Sequence, residues 1–522
     1  MNDDNRPSAS PILDPLARYA SWCLAGVLLV AAVLRVWGIN FGLPFVEHPD
    51  EPFWVTQVLK MIKSGDPNPH DFIYPSLYYY VNALIYLVYY GFGRLFGTFG
   101  SLADLTEPAL LIGGSGKTTL PALFLTGRSL SVALGVATVA LTFDLGRRIT
   151  GFVLGGMLAG LWVAFSPTLV ANSRFLIPDG PLAFFTTLVV WAAWRIYQDG
   201  RTRDYLLAGM ALGLAVGLKY NVAVFALAIV TAHFLRTGWR GIKDWRLYGA
   251  GAISVVVFLA TTPFAILDSQ AFLQGAFIDI RHYTGGHAGN TGNSLTWYLA
   301  YFWRTEGPVL LLAAAGALWG AYKRSRGAIL VATTTLAYLL FISIFAVHAE
   351  RMALPLIPLF AVLAAYFLVS LLPSQAPDRK GVQLGAAAAL LVIALIFPLA
   401  GAVRDTVRLT TPDGRDTART WIDQNLPAGS RIGVESYAPW IDPAKFSPQG
   451  FYRLDGQPAE WYAAEGYDYL VFSQTMFRRF YADPVKFAAD IARYEALFSA
   501  FEEVKVFTDG GYEVRVYRVP RP

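Results

Sequence analysis

Two carboxylates stand side by side at Asp50 and Glu51, in the stretch FVEHPDEPFW. Adjacent acids in a short apolar-flanked loop can act as a general base with a helper, or as two ligands of a divalent cation. The same pattern also starts a helix, because Pro49 breaks the chain and acids in a first turn complement the helix dipole. Asp179, in NSRFLIPDGPLAFF, has the same two readings: a site carboxylate, or a helix cap ahead of Pro181. Lys219 interrupts apolar sequence in GLKYNVAVF, either as a turn residue reaching an interface or as a counter-charge for an anionic lipid headgroup. Glu350 and Arg351 open a late apolar run, as an interfacial ion pair or with the arginine fork holding a phosphate. Arg281, His282 and His287 share the Gly/Asn-rich stretch DIRHYTGGHAGNTGNS, where His282 and His287 are either a metal pair or solvated loop histidines.

A membrane must position these residues. Of 522 residues, 55% are hydrophobic and only 15% charged, against about 25% charged in an ordinary soluble domain. The dilution is uneven. Residues 403–522 hold 15 Lys/Arg and 17 Asp/Glu, a soluble density, which leaves 27 basic and 20 acidic groups for the first 402. So little charge cannot cover a water-soluble surface of that length, so residues 1–402 read as a polytopic membrane domain. A soluble enzyme, a nucleic-acid binder and a disulfide-stapled secreted module are excluded. The only cysteine, Cys23, lies inside the first apolar run, so neither an intramolecular disulfide nor a structural zinc–cysteine site can form.

The run from about Tyr19 to Trp37 reads as an uncleaved signal anchor. Further apolar runs follow at about 76–96, 126–146, 152–171, 181–197, 205–218, 221–235, 248–264, 307–322, 328–347, 352–372 and 383–402. The tyrosine-rich run 76–96 decides the topology. If it lies along the outer interface, 16 of the 27 basic residues fall in short inner loops, as the positive-inside rule requires. The expectation is therefore about eleven transmembrane helices with outer juxtamembrane helices, a cytoplasmic N-terminus, a first outer loop at 39–125, and 403–522 as a small extracytoplasmic α/β domain. Asp50, Asp179, Lys219, the loop 265–305 and Arg351 then converge on one face. Within the tail, RIGVESYAP, YDYLVFS and GYEVRVYRV read as strands, with TARTWIDQNLP and DPVKFAADIARYEALFSAF helical. LIGGSGKTTL imitates a phosphate loop, but the first glycine of that motif is replaced by Leu111, and the stretch reads as a flexible connector.

These features resemble the GT-C superfamily of polytopic glycosyltransferases, in its protein O-mannosyltransferase-like branch, which includes the aminoarabinose transferase of lipid A. The matching residues are His48-Pro49-Asp50-Glu51, the stretch from Tyr74 to Tyr80, Arg174 with Asp179-Gly180-Pro181-Leu182, and Glu350-Arg351 with Leu354-Pro355. The resemblance implies an integral protein of the cell membrane that moves a sugar from a polyprenyl-phosphate donor to a lipid, glycan or protein acceptor at the outer face. It implies Asp50 as general base with Glu51 supporting it, and Asp179 positioning the acceptor or a metal. Lys219, Arg281 and Arg351 are the implied contacts of the donor phosphate, and His48, Tyr74 and Arg174 belong to the donor or acceptor pocket. Relatives often carry a Lys-Pro-Pro or His-Pro-Pro where this chain has Tyr74-Pro75-Ser76, which points to His70 as a replacement cation. No cofactor is required by the resemblance, and dependence on a divalent ion is left open. The competing class is a transporter or lipid-linked sugar flippase. It would show paired broken spans and midplane charges, whereas here no internal repeat is seen and the charges gather at one face.

Overall fold

The computed structural model describes residues 14, 16–285, 290, 292–372 and 380–520. It is mostly helical. Among the described residues, five helical stretches are long and apolar enough to cross a membrane: Ala17–Val36, Pro121–Thr150, Tyr220–Thr237, Arg326–Ser343 and Glu350–Ser370, and shorter apolar helices occupy Val153–Phe165, Trp245–Thr261 and Val309–Tyr322. In chain order the helices are α1 (Ala20–Val36), α2 (Glu51–Ser64), α3 (Leu77–Leu95), α4 (Pro121–Thr150), α5 (Val153–Phe165), α6 (Pro167–Asn172), α7 (Asp179–Gln198), α8 (Thr202–Leu218), α9 (Ala226–Thr237) and α10 (Trp245–Thr261). A single turn, α11 (Phe264–Leu267), leads to α12 (Ser269–Gly285), α13 (Ser294–Thr305), α14 (Val309–Tyr322), α15 (Arg326–Ser343), α16 (Ile357–Ser370) and α17 (Lys380–Thr410). Helix α16 is the centre of the bundle, with nearly every side chain buried. The expected apolar runs fall on helices, with 152–171 divided between α5 and α6, and with 221–235 and 352–372 each entering a helix through a 3-10 turn.

Two local expectations are corrected. Where it is described, the stretch 265–305 is largely helical, in α11, α12 and α13, instead of loop, because its apolar residues recur at helical spacing. LIGGSGKTTL is a β-hairpin, not a flexible connector: β2 (Ala109–Ile112) pairs with β3 (Ser115–Lys117), and β3 pairs with β1 (Phe45–Val46). Helix α3 buries Tyr78, Tyr79, Asn82 and Tyr86 and exposes Leu84, Leu87, Val88, Phe92 and Leu95. Its outward side is thus the apolar one, the arrangement expected where lipid is the solvent.

One buried ion pair fixes the segment between α1 and α2 against α4. Glu51, in the first turn of α2, takes both ends of the Arg128 guanidinium from α4, with Nε to Oε1 at 2.8 Å and Nη2 to Oε2 at 2.6 Å. The Leu176 N–H donates to the same carboxylate at 2.8 Å, while Arg128 Nη1 donates to the carbonyls of Ile39 and Phe41. Three separated segments are thereby tied to one carboxylate with no exposed surface.

After α17 and α18 (Gly414–Asn425) comes a five-stranded sheet of order β5-β4-β6-β8-β7, formed by β4 (Arg431–Glu435), β5 (Ser447–Phe451), β6 (Tyr469–Ser473), β7 (Glu502–Phe507) and β8 (Val514–Arg518). Strands β5, β4 and β6 are parallel, and β8 runs antiparallel to both β6 and β7. Helices α19 (Ala459–Ala464), α20 (Gln474–Phe477) and α21 (Ala488–Ala500) complete this part. It docks on the small β1–β3–β2 sheet. Arg415 Nη2 pairs with Glu47 Oε2 at 2.9 Å, Arg419 lies 3.5 Å over the Phe45 ring, and Lys117 lies 4.8 Å over Trp440.

Two predictions follow from these contacts. Removing one partner of a buried ion pair strands the other, so Arg128→Ala should cost about 3–5 kcal/mol. A lowered thermal midpoint in that variant, largely recovered by the double change Glu51→Gln with Arg128→Met, is the expected result. Near the docking surface, carboxylate oxygens of Glu47, Asp413 and Asp416 all lie within 4.8 Å of one another. Burial, with Asp413 and Asp416 adding to it against Arg415, pushes Glu47 up to about 7. A raised acid contributes stability while protonated and loses it as pH rises through 7, a loss on the order of 3 kcal/mol at most. Raising the pH from 6 to 8 should therefore loosen the docked tail, measured as faster protease cleavage near residue 411, and Glu47→Gln should flatten that dependence.

Candidate functional site

Asp50 ends the loop between β1 and α2, and the Glu51 clamp beside it holds that loop still. Its carboxylate accepts from Arg351 Nη1 at 2.7 Å, an ion pair spanning 301 positions of the chain. The pair is not sealed: the Asp50 side chain keeps 39% of its surface and Arg351 30%. Arg351 sits in a short 3-10 turn, Glu350–Leu356, that leads into α16, and its Nε is buried with no partner among the described residues. His48 accepts the Asp50 N–H at Nδ1, 3.2 Å away, and packs on Phe175 at 4.5 Å between ring centroids. Burial holds the His48 imidazole below its ordinary value, so it stays neutral and Nδ1 is free to accept.

A second, closed pair lies nearby. Asp179 opens α7 and accepts from Lys219 Nζ at 2.7 Å, at the break between α8 and the 3-10 turn Tyr220–Phe225. Both side chains are buried. The break is forced locally: Lys219 adopts extended backbone angles, which turn the chain and carry its ammonium to Asp179. Tyr74 presents its ring to that ammonium at 5.6 Å. Tyr74, Tyr283 and Arg351 all lie within electrostatic reach of Lys219, and Asp179 and Asp50 within reach of Arg351. Of the residues expected from sequence, Asp50, Asp179, Lys219, Arg351, Tyr74 and His48 thus come together.

Two further members were missed. Asp279 and Tyr283 lie four apart on α12, so they share a helix face, and both reach the same cations. Burial pushes the Asp279 carboxyl up, with Lys219 and Arg351 opposing that shift. Reading 265–305 as loop hid this spacing.

Other expected residues lie elsewhere. Glu51 is buried under Arg128 and Leu176, so it positions the loop and has no oxygen open to a substrate. Arg174 is buried, donating to the Leu34 carbonyl and the Thr406 hydroxyl, and it ties the α6–α7 connection to α1 and α17. His70 pairs with Asp66 at 2.8 Å and lines a separate surface hollow of about 440 Å³ beside α2. Arg281 is exposed two residues beyond Asp279, about half a helical turn from the face that meets the cluster. His282 is exposed on α12, and His287 lies outside the described residues. For a divalent ion, the donor set at Asp50 and Asp179 does not fit, because each carboxylate already faces its own cation at 2.7 Å. The Glu47, Asp413 and Asp416 group carries Arg415 and Arg419 against it.

Comparison with known proteins agrees with this architecture. Residues 123–264 match the family model for dolichyl-phosphate-mannose-protein mannosyltransferase. An uncharacterized protein of Aquifex aeolicus is 29% identical over 199 residues, which cover 37% of this chain and 34% of that one. The match therefore spans about a third of the length of that curated relative. The fold is shared with the oligosaccharyltransferase of Archaeoglobus fulgidus (TM-score 0.56, 13% identity, 93% of this chain and 73% of that one). It is shared also with ArnT from Cupriavidus metallidurans bound to undecaprenyl phosphate (TM-score 0.53, 16% identity, 96% and 98%). The family match thus covers residues 123–264 alone, whereas the likeness to these two solved structures is one of fold and runs along nearly the whole chain.

Proposed function

We propose that the protein transfers a sugar from a polyprenyl-phosphate donor to an acceptor hydroxyl at the outer membrane face, with Asp50 as general base. The observation that carries this reading is the half-open Asp50–Arg351 pair beside the buried Asp179–Lys219 pair. A lipid-linked sugar phosphate stays in the bilayer, so its enzyme needs a base and phosphate-binding cations together at the interface. In the reaction the acceptor oxygen bonds to the anomeric carbon and its proton passes to Asp50. The bond from that carbon to the phosphate oxygen breaks, and the electron pair leaves with the polyprenyl phosphate. Arg351 and Lys219 are the groups placed to hold the negative charge that develops there. Buried polar atoms without partners mark where that ligand would bond: Arg351 Nε, and both amide atoms of Asn221, two residues beyond Lys219. ArnT from Cupriavidus metallidurans, solved with undecaprenyl phosphate, and the Archaeoglobus fulgidus enzyme, solved with a dolichol-phosphate, support a lipid phosphate as the ligand.

Asp179 and Glu51 are positioning residues in this mechanism, the first for Lys219 and the second for the Asp50 loop. With a single base and no covalent intermediate, the sugar is inverted. The test is purified protein given an undecaprenyl-phosphate sugar and scored for transfer or hydrolysis. Asp50→Asn should lower kcat about 10²–10⁴-fold with donor binding kept, while Arg351→Lys should raise the donor KM about tenfold. Unchanged turnover in Asp50→Asn sinks the base assignment, and donor movement across vesicles without bond cleavage sinks the transferase reading.

A further inference from the structure

The tail presents a particular edge to the Asp50 loop. Strands β5, β4 and β6 are parallel and end at Phe451, Glu435 and Ser473. The segments that leave these ends carry Tyr452, Ser436 with Tyr437, and the turn containing Arg479. In open sheets of this kind ligands bind in the crevice beyond the carboxyl ends of the parallel strands.

Tyr437 is held there under strain. Its φ is +65°, a left-handed value that a bulky side chain adopts only when its surroundings impose it. The surroundings are the hairpin of the first outer segment: the Tyr437 N–H donates to the Gly113 carbonyl at 2.9 Å. Its own carbonyl accepts from the Tyr512 hydroxyl at 3.0 Å. Gly114 makes the approach feasible, since a Cβ there would come within 2.9 Å of the Tyr437 ring and 3.3 Å of the Glu47 carbonyl. Tyr437 therefore lies against the segment that carries Asp50 three residues on, and it is within electrostatic reach of Asp50, Tyr452 and Arg479.

The chemistry of this edge is specific. The Arg479 guanidinium sits 5.9 Å from the Tyr437 ring centroid, its stem fixed by Nε donating to the Thr475 carbonyl at 2.7 Å. Tyr452 keeps 58% of its surface. The Ser436 hydroxyl is buried with no partner among the described residues. The tail as a whole carries two more acids than bases, so Arg479 is not part of a diffuse basic surface. Aromatic rings pack on the C–H faces of sugars, and a guanidinium fork holds a phosphate or carboxylate.

We propose that Tyr437, Tyr452 and Arg479 form the acceptor subsite, and that it takes a carbohydrate bearing an anionic group. This rests on the transferase reading, since the subsite would deliver an acceptor hydroxyl to Asp50. A glycolipid headgroup and a free glycan share this chemistry. The test uses the full-length protein in detergent, with saturation-transfer NMR and titration calorimetry on glucose 6-phosphate, glucose and dodecyl glucoside 6-phosphate. Glucose 6-phosphate should bind at least tenfold more tightly than glucose, and Arg479→Gln should remove that preference while Arg479→Lys keeps part of it. Tyr437→Gly, which suits the left-handed backbone and deletes the ring, should weaken both sugars without lowering the thermal midpoint. Tighter binding of the dodecyl probe assigns the site to a glycolipid, and equal binding assigns it to a free glycan; both support the subsite. Equal affinity for glucose and its phosphate, or an unchanged preference in Arg479→Gln, overturns it. Binding is read without donor, so wild-type protein that binds the phosphosugar but never cleaves a donor defeats only the transferase reading.

Discussion

The Glu51–Arg128 pair is the contact on which the site depends. A carboxylate and a guanidinium with no exposed surface carry a large desolvation cost, which their own attraction offsets only when every remaining donor and acceptor is also matched. Here it is matched: the Leu176 N–H completes the carboxylate, and the Ile39 and Phe41 carbonyls complete the guanidinium. Because those partners come from α2, α4, the end of α1 and the connection ahead of α7, the pair determines the relative placement of all four. Asp50 and Asp179 stand one residue before Glu51 and three residues after Leu176. Their separation is therefore an outcome of an ion pair that is itself buried away from any ligand.

The same economy governs the cations. Lys219 and Arg351 each face an acid, so in the absence of a ligand the cluster is close to neutral and tolerable near a membrane. The two pairs differ in exposure, and that difference assigns them different roles. Asp179–Lys219 is sealed, a fixed charge arrangement. Asp50–Arg351 is open to about a third of its surface, so under the proposed transfer an incoming phosphate would compete for the guanidinium and release the carboxylate toward an acceptor proton.

Much of this was legible in sequence, for identifiable reasons. Charge scarcity marks the helical bundle, and isolated charges within it mark Asp50, Asp179, Lys219 and Arg351, since such residues need a partner at membrane depth. In the tail, three of the five strands stand out as short apolar or alternating runs. The other two were hidden because both are edge strands: SPQGF carries a proline and a glycine, and EEVKVF is half charged. Residue type did not reveal pairing. Glu51 and Arg174 looked like site residues, yet both are buried and bonded to distant backbone or side-chain groups, and only the folded arrangement brings those groups close. Asp279 and Tyr283 were lost because glycines at 285, 286 and 292 made a helical segment read as loop.

The tail and the base share one short segment, and this links their behaviour. Phe45 and Glu47 contact α18, Gly114 packs between Glu47 and Tyr437, and Asp50 follows Glu47 by three residues. Between them His48 leans on Phe175, and Asp50 is tethered to His48 through its N–H. A segment this short has no slack to absorb a displacement. Any shift of α18 against β1 must be passed to Asp50 or resisted by the Glu51 clamp. The clamp is the stronger constraint, being buried and bonded through both carboxylate oxygens, whereas the Glu47–Arg415 contact competes with Asp413 for the same guanidinium. Tail movement should therefore change what can approach Asp50 before it changes where Asp50 lies, so under the proposed transfer the docked tail would bear on acceptor choice more than on the transfer step itself.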